Sequence, residues 1–396
     1  MQRDYENKPL RRMKRLCGIV MTVLLLTILG ATASEAQPEH HAVNLQFLYP
    51  VATSSDPDLS TNLRLSLLYG RVGSVRGLDL NGVAATTGSD VHALQLTGAY
   101  SRIGGLFQGM SVTGGMQHLS ADGVGFQFSG LANYVEGRFV GVQYSGLLNH
   151  VRGGFVGFQF AGALNSNDGP GGFLQIASIA NVNVGPFGGL QLSALFNHGN
   201  SHVSGAQAAL LNFAESMSGA QIGLLNLAQT FSGVQVGVIN ISKINTGIPI
   251  GFYNSTDSSN VDLVIYGTNL AAINGGIRTV VNNWSSVIGG GYRDTKSDAE
   301  NSGFLSWHFG RLIELGSRWS LTADLGYVHI IPKAYDDPLI NDRLHFALQA
   351  RLLAEVALGR KIAIFAGGGV STRFSEYSSH ANSETDPLLV GGVSLF

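Results

Sequence analysis

Val140-Gly141-Val142-Gln143-Tyr144-Ser145-Gly146-Leu147-Leu148-Asn149-His150-Val151 is the stretch on which the fold turns. Val142 and Tyr144 fall on one side of an extended chain, and Gln143 and Ser145 fall on the other. The density of glycine and β-branched residues, with no i, i+3, i+4, i+7 stripe, excludes a helix.

The stretch recurs along the chain. Gln127, Gln143, Gln159, Gln175, Gln191 and Gln207 stand 16 residues apart, and Gln221 and Gln235 follow at steps of 14. Each has an asparagine downstream. Asn133, Asn149, Asn165, Asn181 and Asn197 come six residues on, whereas Asn212, Asn226 and Asn240 come five residues on. The step reaches back through Ser111 and Gln95 to Asp79, and Gly82, Gly98, Gly114, Gly130, Gly146 and Gly162 share one column. Pro249 and Asn254 close the array, giving twelve units between about Leu78 and Asn254.

Two architectures suit this register. Each unit is either one coil of a β-solenoid, with Gln and Asn stacked into ladders, or one spanning strand of a large up-and-down barrel. A meander alternates two kinds of turn and should show a 32-residue period, so like units in succession favour the solenoid. The shift from 16 to 14 agrees. One residue lost between Gln and Asn would flip Asn to the other face of a continuous strand, but costs little at a corner, which is placed at Gly130 and its equivalents. Residues 79–250 hold only four basic and six acidic side chains, few for a water-exposed solenoid, and this keeps the single large barrel as the alternative.

Beyond the array, alternation becomes cleaner. Trp319, Leu321, Ala323, Leu325 and Tyr327 share one face, and Ser320, Thr322, Asp324 and Gly326 share the other. Leu344 to Leu358 repeats the pattern with His345, Gln349, Arg351 and Glu355 on the polar face. An apolar exterior, a polar interior and terminal aromatics are the pattern of an outer-membrane barrel. Segments near Val261, Ile277, Val287, Phe304, Trp319, Leu344, Ile362 and Leu388 supply about eight strands, enough for closure.

At the other end, Arg11, Arg12, Lys14 and Arg15 precede an apolar run from Gly18 to Gly30 and then Ala31-Thr32-Ala33, which reads as a secretory signal over 1–36. Thirteen apolar residues are short of the roughly 20 that a spanning helix needs. Cys17, the single cysteine, goes with the signal, so the mature chain is expected to lack disulfides and thiolate chemistry. Removing the six Lys/Arg and three Asp/Glu up to Gln37 from totals of 24 and 26 leaves 18 and 23, a net charge of −5. Nucleic acid is therefore not an expected partner. The expected organisation is a signal over 1–36, an N-terminal β segment over 37–77, the array over 78–255 and the barrel over 256–396.

Val234-Gln235-Val236-Gly237-Val238-Ile239-Asn240, with Gly247-Ile248-Pro249-Ile250-Gly251 as its ending, resembles the arrays of bacterial surface-repeat proteins. Units in that family read Gly-Leu-Gln-x-Gly-Leu-x-Asn and often precede an outer-membrane barrel. The resemblance covers roughly Leu63 to Phe396, departs from the pattern at Asp79 and Ser111, and brings no catalytic residue with it.

The chemistry expected is correspondingly sparse. His198 and His202 flank a turn without a third ligand nearby, and Asn165-Ser166-Asn167-Asp168-Gly169-Pro170-Gly171-Gly172 offers oxygens in a Gly-rich turn but occurs once, without the rhythm of calcium-binding rolls. Gly289-Gly290-Gly291 lacks the spacing of a phosphate loop. Asp324, His345, Arg351 and Glu355 read as a lumen salt-bridge network. No cofactor or metal is expected. The expected function is a non-enzymatic outer-membrane protein, a barrel anchor carrying a repeat scaffold, with a porin-like channel as the alternative. The expected partners are outer-membrane lipid and the insertion machinery that reads the last strand, ending at Phe396.

Overall fold

A computed structural model describes residues 39–271, 273–293, 302–332, 345–377 and 380–396. The signal at 1–36, Cys17 and Leu344 lie outside these residues. Every regular element described is a strand.

The array is a parallel β-solenoid of about 14 turns, so the alternative of one large barrel is overturned. Each 16-residue coil contributes two strands. Gly123–Ser129 pairs in parallel with Arg138–Ser145, setting Gln127 against Gln143, and Ala132–Val135 pairs with Leu148–Val151, setting Asn133 against Asn149. A meander would have required antiparallel neighbours. The corner falls at Gly130-Leu131, between the two strands, as the spacing implies. Parallel pairing also starts earlier than the Gln register. His40–Leu48 pairs with Ser60–Val72, which pairs in turn with Ser74–Asn81, so coils precede Leu78.

The 14-residue coils lose one residue at each edge. At the corner the loss leaves Asn212 and Asn226 fully buried beside Asn197. At the opposite edge the turn disappears, and Leu211–Ile222 and Leu225–Val236 each run as one strand through it; Phe196–Ala208, one residue longer between Asn197 and Gln207, also runs through and meets Leu211–Ile222 with a register break at Gly199/His202.

Two glycine columns have different causes. In the corner column, a Cβ on Gly146 would stand 2.0 Å from the carbonyl oxygen of Gly130 in the coil before, so a side chain there requires the backbone to shift, and the column takes nothing larger than the Ser178 and Ala194 of later coils. The second column, including Gly141 and Gly157, adopts positive φ, 141° and 137°, where an L side chain is strained. Two residues in that column are not glycine: Ala93, and Phe173, which keeps the positive φ at 103° with its ring set edge-on against Phe158 at 4.8 Å.

The barrel is closed by eight antiparallel strands, Asn260–Thr268 through His380–Leu395, the first pairing with the last. All eight segments read from the sequence are present. Short turns at 282–283, 315–318 and 358–361 lie at the end that carries both termini of the barrel. The strands that end at Thr268, Arg293, Pro332 and Tyr377 finish at the other end.

Parallel stacking has a direct chemical test. Ser145→Cys with Ala161→Cys, in a Cys17→Ser chain, should oxidise to an intramolecular disulfide because the two residues are register partners on adjacent coils. Ser145→Cys with Ala177→Cys, two coils apart, should not. Gly157→Ala should lower stability by at least ~2 kcal/mol, because its Cβ would meet the Gly141 carbonyl oxygen in a positive-φ backbone. Gly188→Ala, which meets nothing within 4 Å, should leave the urea midpoint unchanged.

Candidate functional site

Two polar interiors hold the residues singled out by the sequence. In the solenoid, Gln143 Nε2 donates to Gln127 Oε1 (2.8 Å), Gln159 to Gln143 (2.9 Å), and the chain continues through Gln175, Gln191, Gln207 and Gln221 to Gln235. Each Gln donates to the coil before. The asparagines run the other way, Asn133 Nδ2 to Asn149 Oδ1 (2.8 Å) and onward through Asn165, Asn181, Asn197, Asn212 and Asn226 to Asn240 and Asn254. Their second N–H donates to the carbonyl just before the next corner, as from Asn149 to Phe160 O (2.8 Å). The asparagine therefore fixes the corner as well as the ladder.

The ladder starts on a charge pair. Asp79 stands in the Gln column and takes Gln95 Nε2 at 2.8 Å. It also takes Arg64 through two bonds, Nε at 2.7 Å and Nη2 at 2.6 Å, and both residues are fully buried. Ser111, the other departure, reaches Gln95 (2.9 Å) but is too short to meet the next coil, and Gln127 Nε2 has no acceptor among the described residues. Arg64 lies before the register begins, and its partnership was not legible from spacing.

In the barrel, Asp324 and Arg351 come together as a bidentate pair at 2.8 and 2.9 Å. Glu355 instead grips Arg278 (2.6 and 3.2 Å), which also holds Asp262 (2.8 Å). His308 Nε2 and Gln349 Oε1 are 3.0 Å apart, and Gln349 reaches on to Ser371. His345 is not part of this cluster. It pairs across the sheet with Ser375, near the far end of its strand, and its Nε2 has no partner among the described residues. Arg278 and His308 were missed because glycines at 275, 276, 303 and 310 blur the alternation of their strands, and Asp262 was missed although its strand alternates. The inward parity of Arg278 with Asn274 was the available signal. Phe396 also lies on the lumen side, its ring 6.0 Å from the Arg278 guanidinium.

Each carboxylate of this set is held by a guanidinium, and the free space left between them is about 30 Å³, room for about one water. Such an arrangement braces a narrow barrel.

The remaining candidates have structural partners. Asn167 faces inward and donates to Asn183 (3.0 Å), while Asp168 at the turn stands 3.7 Å from His150. Burial pushes the His150 imidazole below its ordinary value, with Asp168 opposing and Arg152 adding to the shift. His202 bonds Ser216 (3.0 Å), and His198 lies against the Phe213 ring. Among the described residues no three His, Cys, Asp or Glu side chains gather as a metal site.

Arg351→Ala should strand Asp324 in the lumen and destabilise the barrel by about 3–5 kcal/mol, whereas Arg351→Met with Asp324→Leu should be close to neutral. Urea unfolding in detergent micelles distinguishes the two; equal losses would mean that the charges do more than brace.

No protein-family model matches the chain, and no curated protein or solved structure matches it either.

Proposed function

We propose that this is a non-enzymatic outer-membrane protein, exported by its N-terminal signal, in which the barrel is an anchor and the solenoid a rigid scaffold for structural or interaction roles. The observation that carries the reading is the two-sidedness of the barrel wall. Leu263, Ile277, Leu325, Leu348, Leu352 and Ile364 face outward, each 44% or more exposed, while the charged residues described above turn inward. In water such a wall would be a liability, and in lipid it is what a spanning barrel requires. The strand His380–Leu395, running to Phe396, is the segment that insertion machinery would read. The likeness to surface-repeat arrays supports the same assignment.

A porin-like role fits the geometry poorly. The repeats are not spanning strands, and ion pairs fill the lumen of the eight-stranded barrel.

Fractionation of cells expressing the full chain should place it in the outer membrane, with gel mobility that changes on boiling. Recovery as a detergent-free soluble monomer from the periplasm would refute the anchor. In planar bilayers the purified protein should be electrically silent, and a large steady conductance would replace the scaffold reading with a channel.

A further inference from the structure

The solenoid has an apolar edge and a charged edge. Along the corner edge, Leu131, Leu147, Ile179, Leu195, Leu210 and Leu224 form one row, each 45–53% exposed. The outward columns of the first strand, such as Phe126, Phe158 and Tyr144, widen it. Nine charges lie between residues 80 and 250, at 90, 102, 122, 136, 138, 152, 168, 215 and 243. All nine sit on the second strand of a coil, or within one residue of the turn that follows it or its equivalent in the shorter coils. The corner edge carries none.

The last coil is seated on the outer wall of the barrel, and its orientation there sets the height of each edge. Gly247 O, next to the charged edge, accepts from Asn282 Nδ2 (3.1 Å) in the short turn at the rim. Gly251 O, at the corner, accepts from Ser286 Oγ and from Trp307 Nε1 (3.1 Å). Ser286 is four residues up its strand from Asn282, roughly 10 Å along the barrel axis once strand tilt is allowed for. Phe252 meets the Trp307 ring at 5.4 Å, and a groove of about 930 Å³ runs from Trp307 along Phe252, Val238, Leu224 and Leu210. The corner edge is therefore level with the apolar wall, and the charged edge is level with the rim.

From this juxtaposition we propose that the corner edge of the solenoid is embedded in the acyl chains of one bilayer leaflet, so that the array lies along the membrane instead of projecting from it. The inference rests on the barrel being a membrane anchor. From Leu131 to Phe252 the row runs through nine coils, roughly 40 Å at the strand spacing. A continuous exposed apolar surface of that length, backed by a charged face, is the profile of an interfacial element. Short turns mark the periplasmic end of outer-membrane barrels, which assigns the array to the periplasmic leaflet.

Nitroxide labels report the depth of each edge directly. Leu195→Cys on the corner edge, Arg152→Cys on the charged edge and Leu325→Cys on the barrel wall are each introduced into the full Cys17→Ser chain. The labelled proteins are reconstituted in phosphatidylethanolamine/phosphatidylglycerol vesicles. The ratio of oxygen to nickel-chelate accessibility should be several-fold higher at 195 and 325 than at 152. A corner label as nickel-accessible as residue 152, with 325 still in lipid, overturns the embedded edge and leaves the anchor standing. Nickel access at 325 overturns the anchor, and the inference with it. Spin–spin broadening at 195 that disappears on dilution with unlabelled protein would put a second copy on this edge instead of lipid, and would equally overturn it.

Discussion

Everything in the array follows from stacking like upon like in parallel register at roughly 4.8 Å. At that spacing each buried column must be complementary to itself. An amide meets the condition because it carries both a donor and an acceptor along the stacking axis. Gln donates toward the N-terminus and Asn toward the C-terminus, so the two ladders run in opposite senses within the same coil. Phenylalanine meets the condition by stacking, as Phe139 does on Phe155 with the rings 3° from parallel. A lone carboxylate does not. The one that occurs, Asp79, therefore needs Arg64 from the coil before it, a buried bidentate pair in place of one amide bond. Ser111 shows the opposite failure. Its hydroxyl is too short to reach the next coil, and the donor of Gln127 is orphaned.

Features that repeat were legible in the sequence, and features that occur once were not. Sixteen-residue spacing implied parallel coils, and the loss of one residue between Gln207 and Asn212 located the corner, because any other site would have turned Asn212 outward. In the barrel, strict alternation in Trp319–Tyr327 identified Asp324 as a lumen residue, and all eight strands were found. Arg278 was hidden by the glycines around it, which carry no facing information. His345 shares parity with Arg351 but sits three inward positions away from it, and parity carries no information on distance. The positive-φ column was also unread, since glycine in a strand signals a close approach and an unusual backbone alike.

Solenoid and barrel solve the same problem by different closures. In both, polar side chains face inward and satisfy one another, in amide ladders in the first and guanidinium–carboxylate pairs in the second. Both expose aliphatic side chains along at least one outer face. The inner networks are affordable because every strand has neighbours, so few groups must look outside for partners.

The exception is the end of the solenoid, where no further coil follows and main-chain groups would be left open. There the barrel wall departs from its own pattern. Thr279, Ser286 and Trp307 occupy outward positions, and each has a donor or acceptor at the height of the last coil. Asn254 N donates to Thr279 Oγ1 (3.4 Å), and Gly251 O receives Ser286 and Trp307. Asn282, in the turn, takes the Gly247 carbonyl. These four residues form a cap made of barrel rather than of solenoid. A terminal coil with its own polar cap would stand free of the barrel. In this one Asn254 Nδ2 meets the Gly251 carbonyl (3.1 Å) from within the solenoid, and the wall it leans on supplies the other partners.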